Sequence, residues 1–156
     1  ELVLDAELAI SHKTETLLYL AARADHIAQL IQPALEAGKI VLCDRFSDST
    51  FVYQGSGRGV ELATLKMLDD FATSNLHPDL TILLDGEPEE LAIRRNARGT
   101  IDRFELEGLA FQKKIREAFL KLAAEEPTRI HIIDALQAEE KVTKEILTAL
   151  QMLLTK

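Results

Sequence analysis

The sequence predicts an α/β protein in which a parallel sheet is covered by helices on both faces, giving three layers. Short, continuously apolar segments with β-branched residues alternate along the chain with longer amphipathic segments. Strands of continuous apolar character are typical of parallel sheets that are buried on both faces. The 156 residues are 47% hydrophobic and contain 7 glycines and 4 prolines. This length and composition predict one globular domain, residues 1–156.

The first predicted elements are a long helix and a strand. Residues 11–37 repeat apolar side chains at helical spacing, with Ser11 or Thr14 as the N-cap. Pro33 is expected to kink this helix or to start its second half. Residues 39–44, "KIVLCD", are short and apolar, which predicts a buried strand.

The remaining segments continue the alternation of helices and strands. Amphipathic patterns predict helices at 59–76, 87–97, 108–127 and 138–156. A turn and a strand are predicted within 77–85, and a further strand at 129–134. No internal repeat or linker interrupts this order, so a single domain is expected.

Charge and composition exclude several classes of function. The formal net charge is -8, which argues against a general affinity for nucleic acid or an anionic membrane. No apolar run approaches the roughly 18 residues of a membrane span, and no signal peptide opens the chain, so we expect a cytoplasmic protein. The single cysteine, Cys43, is interpreted as a small core residue; it allows no disulfide framework or cysteine metal site.

Charged residues lie where the predicted strands end. Asp44, Asp85 and Asp134 each occupy such a position, and Arg45 follows the first. Ligands of open parallel sheets bind beyond the carboxyl ends of the strands. Arg45 is therefore a candidate for gripping a phosphate with two hydrogen bonds. The alternative is an Asp44–Arg45 pair that closes a loop.

Polar residues that could bind a nucleotide surround this point in the sequence. Hydroxyls, a ring and an amide follow Arg45 at Ser49, Thr50, Tyr53 and Gln54. Such a set can bind a polar, partly aromatic small molecule. The "QGSGRG" stretch after them predicts a tight turn, but it lacks the lysine of a phosphate loop.

Two further groups suggest binding of charged and planar ligands. Tyr19 and Arg23 lie four residues apart on one helix face, where they could bracket a planar base or merely pack together. A basic cluster could surround a transferring phosphoryl group or form a solvated face neutralised by nearby acids. Its members are Arg94, Arg95, Arg98 and Arg103.

Together these residues resemble the bacterial thymidylate kinase family, which phosphorylates thymidine monophosphate (dTMP) from ATP. The resemblance covers the whole chain. It rests on five segments in the family's order and approximate spacing: "LYLAARADH", "DRFSDSTFVYQGSGRG", "HPDLTILLD", "ARGTIDRFE" and "IIDA". It implies a P-loop nucleoside monophosphate kinase-like fold, ATP with Mg²⁺ as the phosphoryl donor, and a homodimer.

The resemblance assigns the nucleoside part of the acceptor site residue by residue. Tyr19 resembles the aromatic residue that stacks on thymine, and Arg23 the arginine that hydrogen-bonds the base. Tyr53 falls where a ring packs against the deoxyribose. The other positions at which the family contacts nucleotide and base are Ser49, Thr50 and Gln54.

The resemblance also assigns residues to the phosphates. Arg45 matches the arginine that holds the acceptor's phosphate, and Asp44 the acidic residue that orients it and helps to organise magnesium. Arg98 resembles the arginine of a lid, residues 94–105, that reaches the ATP phosphates. Weaker candidates near ATP are Arg94 and Arg103, with the backbone of Asp134 and Ala135 lining the adenine pocket.

One part of the family pattern is absent from the 156 residues. Family members begin with a strand, a phosphate loop of the form GxxGxGK[ST], its helix and a second strand, and none of these occurs here. We therefore expect that the sheet of this chain lacks its first βαβ unit. We also expect that the native protein has an additional N-terminal portion that supplies this unit. The complete protein is expected to make dTDP for dTTP synthesis, and the printed chain alone to be inactive. The alternatives are a nucleotide-binding module without catalysis and a kinase of another nucleoside monophosphate.

Overall fold

The structure is a computed structural model that describes residues 10–96 and 107–155. The chain divides into two compact units, which meet in the sequence between His77 and Pro78. A single domain over residues 1–156 and a lid at 94–105 stay predictions. Among the described helices, none is both long and apolar enough to cross a membrane.

The predicted first helix is confirmed, with a change of winding in its second half. It consists of α1, a π-helical turn and α2, with bounds His12–His26, Ile27–Ile31 and Gln32–Glu36. The Oγ atom of Ser11 accepts a hydrogen bond from the Thr14 backbone N–H (3.1 Å), so Ser11 is the N-cap. Pro33 lies in the first turn of α2, directly after the π-helical turn.

The strand predicted at 39–44 is wrong, because these residues have no strand structure. A strand exists only when its backbone groups pair with a neighbour, and no described segment pairs with this one. Its side chains are correspondingly exposed, Ile40 by 66% and Leu42 by 82%. The prediction that Cys43 is a core residue is also wrong, since this side chain is exposed.

Helical structure follows where the sequence suggested only polar residues and a turn. Helix α3 and a π-helical turn span Ser47–Thr50 and Phe51–Gly57, which were not predicted as helical. The helix predicted at 59–76 is confirmed as α4, Leu62–Thr73. Val52 and Leu65 are buried at 2% and 0% exposure. A Cβ atom at Gly55 would lie 3.2 Å from Cδ1 of Leu65, so glycine lets this turn pack closely on α4.

The second unit contains a two-stranded parallel sheet and three helices. Strands β1 (Thr81–Asp85) and β2 (Ile130–Asp134) pair in register, and Asp85 lies opposite Asp134. The helices are α5 (Pro88–Asn96), α6 (Gly108–Glu125) and α7 (Glu139–Leu154). Helix α6 packs on both strands and α7 packs on β2. These elements confirm the predicted helices and strands of this half and the parallel pairing.

Candidate functional site

Arg23 lies at the centre of a hydrogen-bond network in the first unit. Its Nη1 atom donates to Oδ1 of Asp69 (2.7 Å), and Nη2 donates to Oγ1 of Thr50 (2.8 Å) and to the carbonyl oxygen of Phe46 (3.1 Å). The Phe46 ring also lies under the guanidinium, 5.2 Å from Cζ to the ring centroid. Because three residues accept hydrogen bonds from this side chain, its orientation is fixed before any ligand arrives.

Asp69 explains why Arg23 can be held so tightly. Its side chain is completely buried, and that of Arg23 is only 10% exposed. A buried carboxylate without a cationic partner would cost several kcal/mol, so this pair is stable only as a pair. On α4, Asp69 lies between Leu65 and Thr73 at four-residue spacing, and all three have 0% exposure.

A second buried carboxylate, Glu15 on α1, contacts another candidate residue. Gln54 donates from Nε2 to Oε1 of Glu15 (3.1 Å), and both residues are buried, at 2% and 0% exposure. The Nε atom of Arg58 lies 3.6 Å from the same carboxylate oxygen. This cation balances the charge of Glu15 inside the unit.

Arg45 directly follows Asp44 in an exposed turn. Its φ angle is 63°, in the left-handed region that non-glycine residues rarely adopt. The guanidinium lies over the ring of Tyr53, 5.0 Å from Cζ to the ring centroid. The Tyr53 ring therefore orients the Arg45 guanidinium, which is the group predicted to bind the phosphate.

The other predicted acceptor residues also belong to this unit. Tyr19 is half-buried on α1, one turn before Arg23, and Ser49 is half-buried on α3. Thr50 is buried, and its hydroxyl oxygen accepts the hydrogen bond from Arg23. The structure thus brings Arg23 and Thr50 into contact, and Arg45 with Tyr53, whereas Gln54 contacts a residue that was not predicted.

In the second unit, the strand-end carboxylate Asp85 is bound to α6. Arg116 donates from Nε and Nη2 to the two oxygens of Asp85 (2.8 and 3.0 Å), and its Nη1 lies 2.6 Å from Oε1 of Glu87. The hydrogen bond from Arg116 lowers the pKa of Asp85, and the two carboxylates raise the pKa of Arg116. This arrangement fixes the end of β1.

Arg94 holds the loop that follows β2. It donates to the carbonyl oxygens of Ala135 (2.6 Å) and Leu136 (3.0 Å), and Oδ1 of Asp134 accepts from the Leu136 N–H (2.8 Å). These bonds define the backbone of the predicted adenine pocket. The other predicted donor-site residues, Arg98 and Arg103, lie outside the described residues.

Sequence reasoning missed five charged residues of these networks: Glu15, Arg58, Asp69, Glu87 and Arg116. Glu15 and Asp69 could have been found because each stands at a position where a helical pattern requires a buried side chain. Among residues 10–96 and 107–155, no three acidic, histidine or cysteine side chains are grouped as a metal site.

Comparison with solved structures gives the class of protein. The fold is similar to that of the thymidylate kinase from Ehrlichia chaffeensis, with a TM-score of 0.70 and 29% sequence identity. The match covers 92% of this chain and 66% of that one. The fold class is therefore that of the P-loop nucleoside monophosphate kinases, which confirms the coarser part of the fold prediction.

Comparison of sequences gives the family. A family model described as Thymidylate kinase matches residues 1–146. The thymidylate kinase of Pseudomonas fluorescens (strain Pf-5) is 48% identical over 153 residues, which are 98% of this chain and 73% of that protein. That of Geotalea uraniireducens is 46% identical, over 95% of this chain and 73% of its own length. The chain belongs to the thymidylate kinase family.

Proposed function

We propose that this chain provides the dTMP site and the lid of a cytoplasmic kinase that transfers the γ-phosphoryl group of ATP to dTMP, making dTDP for dTTP synthesis. Support comes from relatives named thymidylate kinase at 48% and 46% identity. The observation that carries the proposal is Arg23, whose guanidinium is only 10% exposed and is oriented by Asp69 and Thr50. By the resemblance, this residue corresponds to the base-binding arginine of the family.

In this proposal the first unit binds the acceptor nucleotide. Tyr19 stacks on thymine, and Arg23 donates hydrogen bonds to the base. Three of the five N–H donors of Arg23 are occupied by protein acceptors, which leaves two for a base carbonyl. Arg45 holds the phosphate with two hydrogen bonds. The remaining contacts are assigned to Ser49, Thr50, Tyr53 and Gln54.

The second unit is proposed to serve the donor nucleotide. Arg94 fixes the loop at Asp134 and Ala135, whose backbone lines the adenine pocket. Arg98, with Arg103 nearby, stabilises the charge that develops on the transferring phosphoryl group.

Magnesium is proposed to accompany ATP, where it neutralises charge on the phosphate oxygens. Mg²⁺ in such sites is bound by one or two carboxylates together with substrate phosphates. The Asp44 carboxylate is exposed and directly precedes Arg45, so it fits this requirement.

We propose that these 156 residues by themselves bind dTMP but do not catalyse phosphoryl transfer. They contain no phosphate-loop motif, and the backbone and lysine of that loop are what hold the ATP phosphates in this class of enzyme. The acceptor residues are all present, so dTMP binding tests the proposal directly.

We predict that the chain binds dTMP more tightly than deoxycytidine monophosphate (dCMP). The O4 carbonyl of thymine accepts a hydrogen bond from Arg23. Cytosine carries an amino group at the same position, and this donor cannot pair with the N–H donors of Arg23. Unpaired polar groups cost roughly 1–3 kcal/mol each. Isothermal titration calorimetry with both nucleotides measures the difference; equal affinities would contradict both the acceptor assignment and the choice of thymine over another base.

A further inference from the structure

Gln54 can present either end of its amide to a ligand. The Oε1 atom is an acceptor and the Nε2 group is a donor, and the two ends are nearly equal in shape. Which end faces the base therefore decides which hydrogen-bond pattern the site accepts. A Gln54 side chain free to rotate by 180° would accept both patterns.

The structure removes this freedom through Glu15. An ionised carboxylate can only accept hydrogen bonds, so the amide end that lies 3.1 Å from Oε1 of Glu15 must be the Nε2 donor. Arg58 lies 3.6 Å from the same oxygen, and its side chain is 6% exposed. This guanidinium compensates the charge of the Glu15 carboxylate inside the unit.

We propose that Glu15 is a positioning residue that sets base selectivity by fixing the polarity of the Gln54 amide. With Nε2 directed to Glu15, the carbonyl Oε1 is the end left for the ligand. Thymine carries a hydrogen on N3 and needs an acceptor there, whereas N3 of cytosine is itself an acceptor. The inference rests on the proposed function, since it assumes that Gln54 faces the base of dTMP.

The neighbouring residues Arg23 and Thr50 have fixed polarity as well. A guanidinium can only donate. The Thr50 hydroxyl accepts a hydrogen bond from Arg23 at 2.8 Å, so its own proton points away from Arg23. Gln54 is thus the member of this group whose polarity depends on a third residue, and Glu15 is that residue.

The test is the ratio of the dissociation constants for dCMP and dTMP in Glu15→Gln. Glutamine keeps the size of Glu15 but can donate as well as accept, so the Gln54 amide can turn over. We expect a ratio of about 100 in the wild-type chain and a decrease of about tenfold or more in the variant. Loss of structure alone would weaken the binding of both nucleotides and leave this ratio unchanged. Urea unfolding of each variant measures its stability.

Glu36→Gln is the matched control. Glu36 also accepts a hydrogen bond from a glutamine amide, Nε2 of Gln32 at 2.9 Å, but this pair is exposed. The same chemical change there should leave the ratio unchanged.

A second variant keeps the proposal testable if Glu15→Gln does not fold. Gln54→Met has a similar shape and no amide, so it should lower the ratio about as much as Glu15→Gln does. The inference is overturned if either folded variant keeps the wild-type ratio while the wild-type chain prefers dTMP. If the wild-type chain itself shows no preference, the proposed function fails instead.

Discussion

The side chain of Arg45 is oriented by two features that do not involve a charged partner. Its left-handed backbone, with φ at 63°, costs roughly 1–2 kcal/mol for a residue with a Cβ atom. Such conformations persist only where the surrounding structure holds them, and functional sites are one place where they cluster. The Tyr53 ring then supports one face of the guanidinium at 5.0 Å. A planar, preoriented group of this kind suits a phosphate.

We predict that Arg45→Lys weakens dTMP binding about tenfold although the charge is kept. A lysine ammonium cannot form the two parallel hydrogen bonds of a guanidinium, and it stacks less well on a ring. Thymidine, which lacks the phosphate, is the control ligand and should bind both chains equally. Calorimetry with the two ligands would refute the phosphate assignment if the substitution reduced affinity for both to the same extent, or for neither.

The candidate residues were predictable from the sequence where they form part of a motif. Arg45, Thr50 and Gln54 stand in one short segment with an unusual combination of residue types. Asp69 was not predictable in this way, because nothing in its neighbourhood resembles a site. Only its place on the buried stripe of α4, between Leu65 and Thr73, distinguishes it, and its partner Arg23 is 46 residues away.

The elements differ in how far local sequence determines them. Helices α1 and α4 to α7 and both strands follow from hydrophobic period and capping. Residues 47–57 were missed because serine, threonine, valine and glycine are poor helix formers. Their helix is stabilised by burial, for example of Val52 at 2% exposure. For residues 39–44 the local pattern predicted a strand that the structure does not contain. A strand forms only when another strand pairs with it, and the local sequence carries no information about that partner.

The carboxyl end of β1 gives a pH-dependent prediction. Arg116 lowers the folded-state pKa of Asp85, so the stability from this pair is fully present above the unfolded pKa of about 3.9. It is lost as the pH falls through the depressed folded value. Asp85→Asn should therefore lower the free energy of unfolding by about 1–2 kcal/mol at pH 7, and by less at pH 3.

Urea unfolding of both chains at the two pH values measures this difference. Glu89→Gln is the control, because the Glu89 side chain pairs with Lys113 at 2.6 Å but both are about half exposed, and exposed ion pairs contribute little. A loss of stability in Asp85→Asn that is the same at pH 3 as at pH 7 would show that the charge of Asp85 is not the cause.

For the whole molecule, the net charge of -8 opposes the binding of a phosphate. Guanidinium groups that contact the phosphate, such as Arg45, must outweigh that charge. They can do so because dissolved salt screens the repulsion from carboxylates that lie more than about 8–10 Å away. Composition directed attention to a local basic cluster, residues 94–103, which stays a prediction because most of it lies outside the described residues. Composition could not reveal the buried pairs, Arg23 with Asp69 and Arg58 with Glu15, which use two arginines to neutralise the interior.

Helix α4 presents an apolar surface opposite to its buried stripe. Met67 and Phe71 lie four residues apart on one face and are 64% and 87% exposed. Single exposed apolar residues are ordinary, whereas contiguous exposed apolar patches mark interaction sites. The resemblance to the family implies a homodimer, and residues 62–71 together with 11–37 are the surfaces that we expect to form it.

We predict that the chain sediments as a dimer and that Phe71→Glu converts it to a monomer at the same concentration. A carboxylate in an apolar interface loses its hydration without gaining a partner, which costs several kcal/mol. Leu154→Glu on α7 is the control, because Leu154 is also exposed, at 62%, but lies outside the two expected surfaces. Sedimentation velocity decides between the outcomes. A wild-type chain that is monomeric at all concentrations would refute the homodimer, and a dimer that survives Phe71→Glu would show that the α4 surface does not form it.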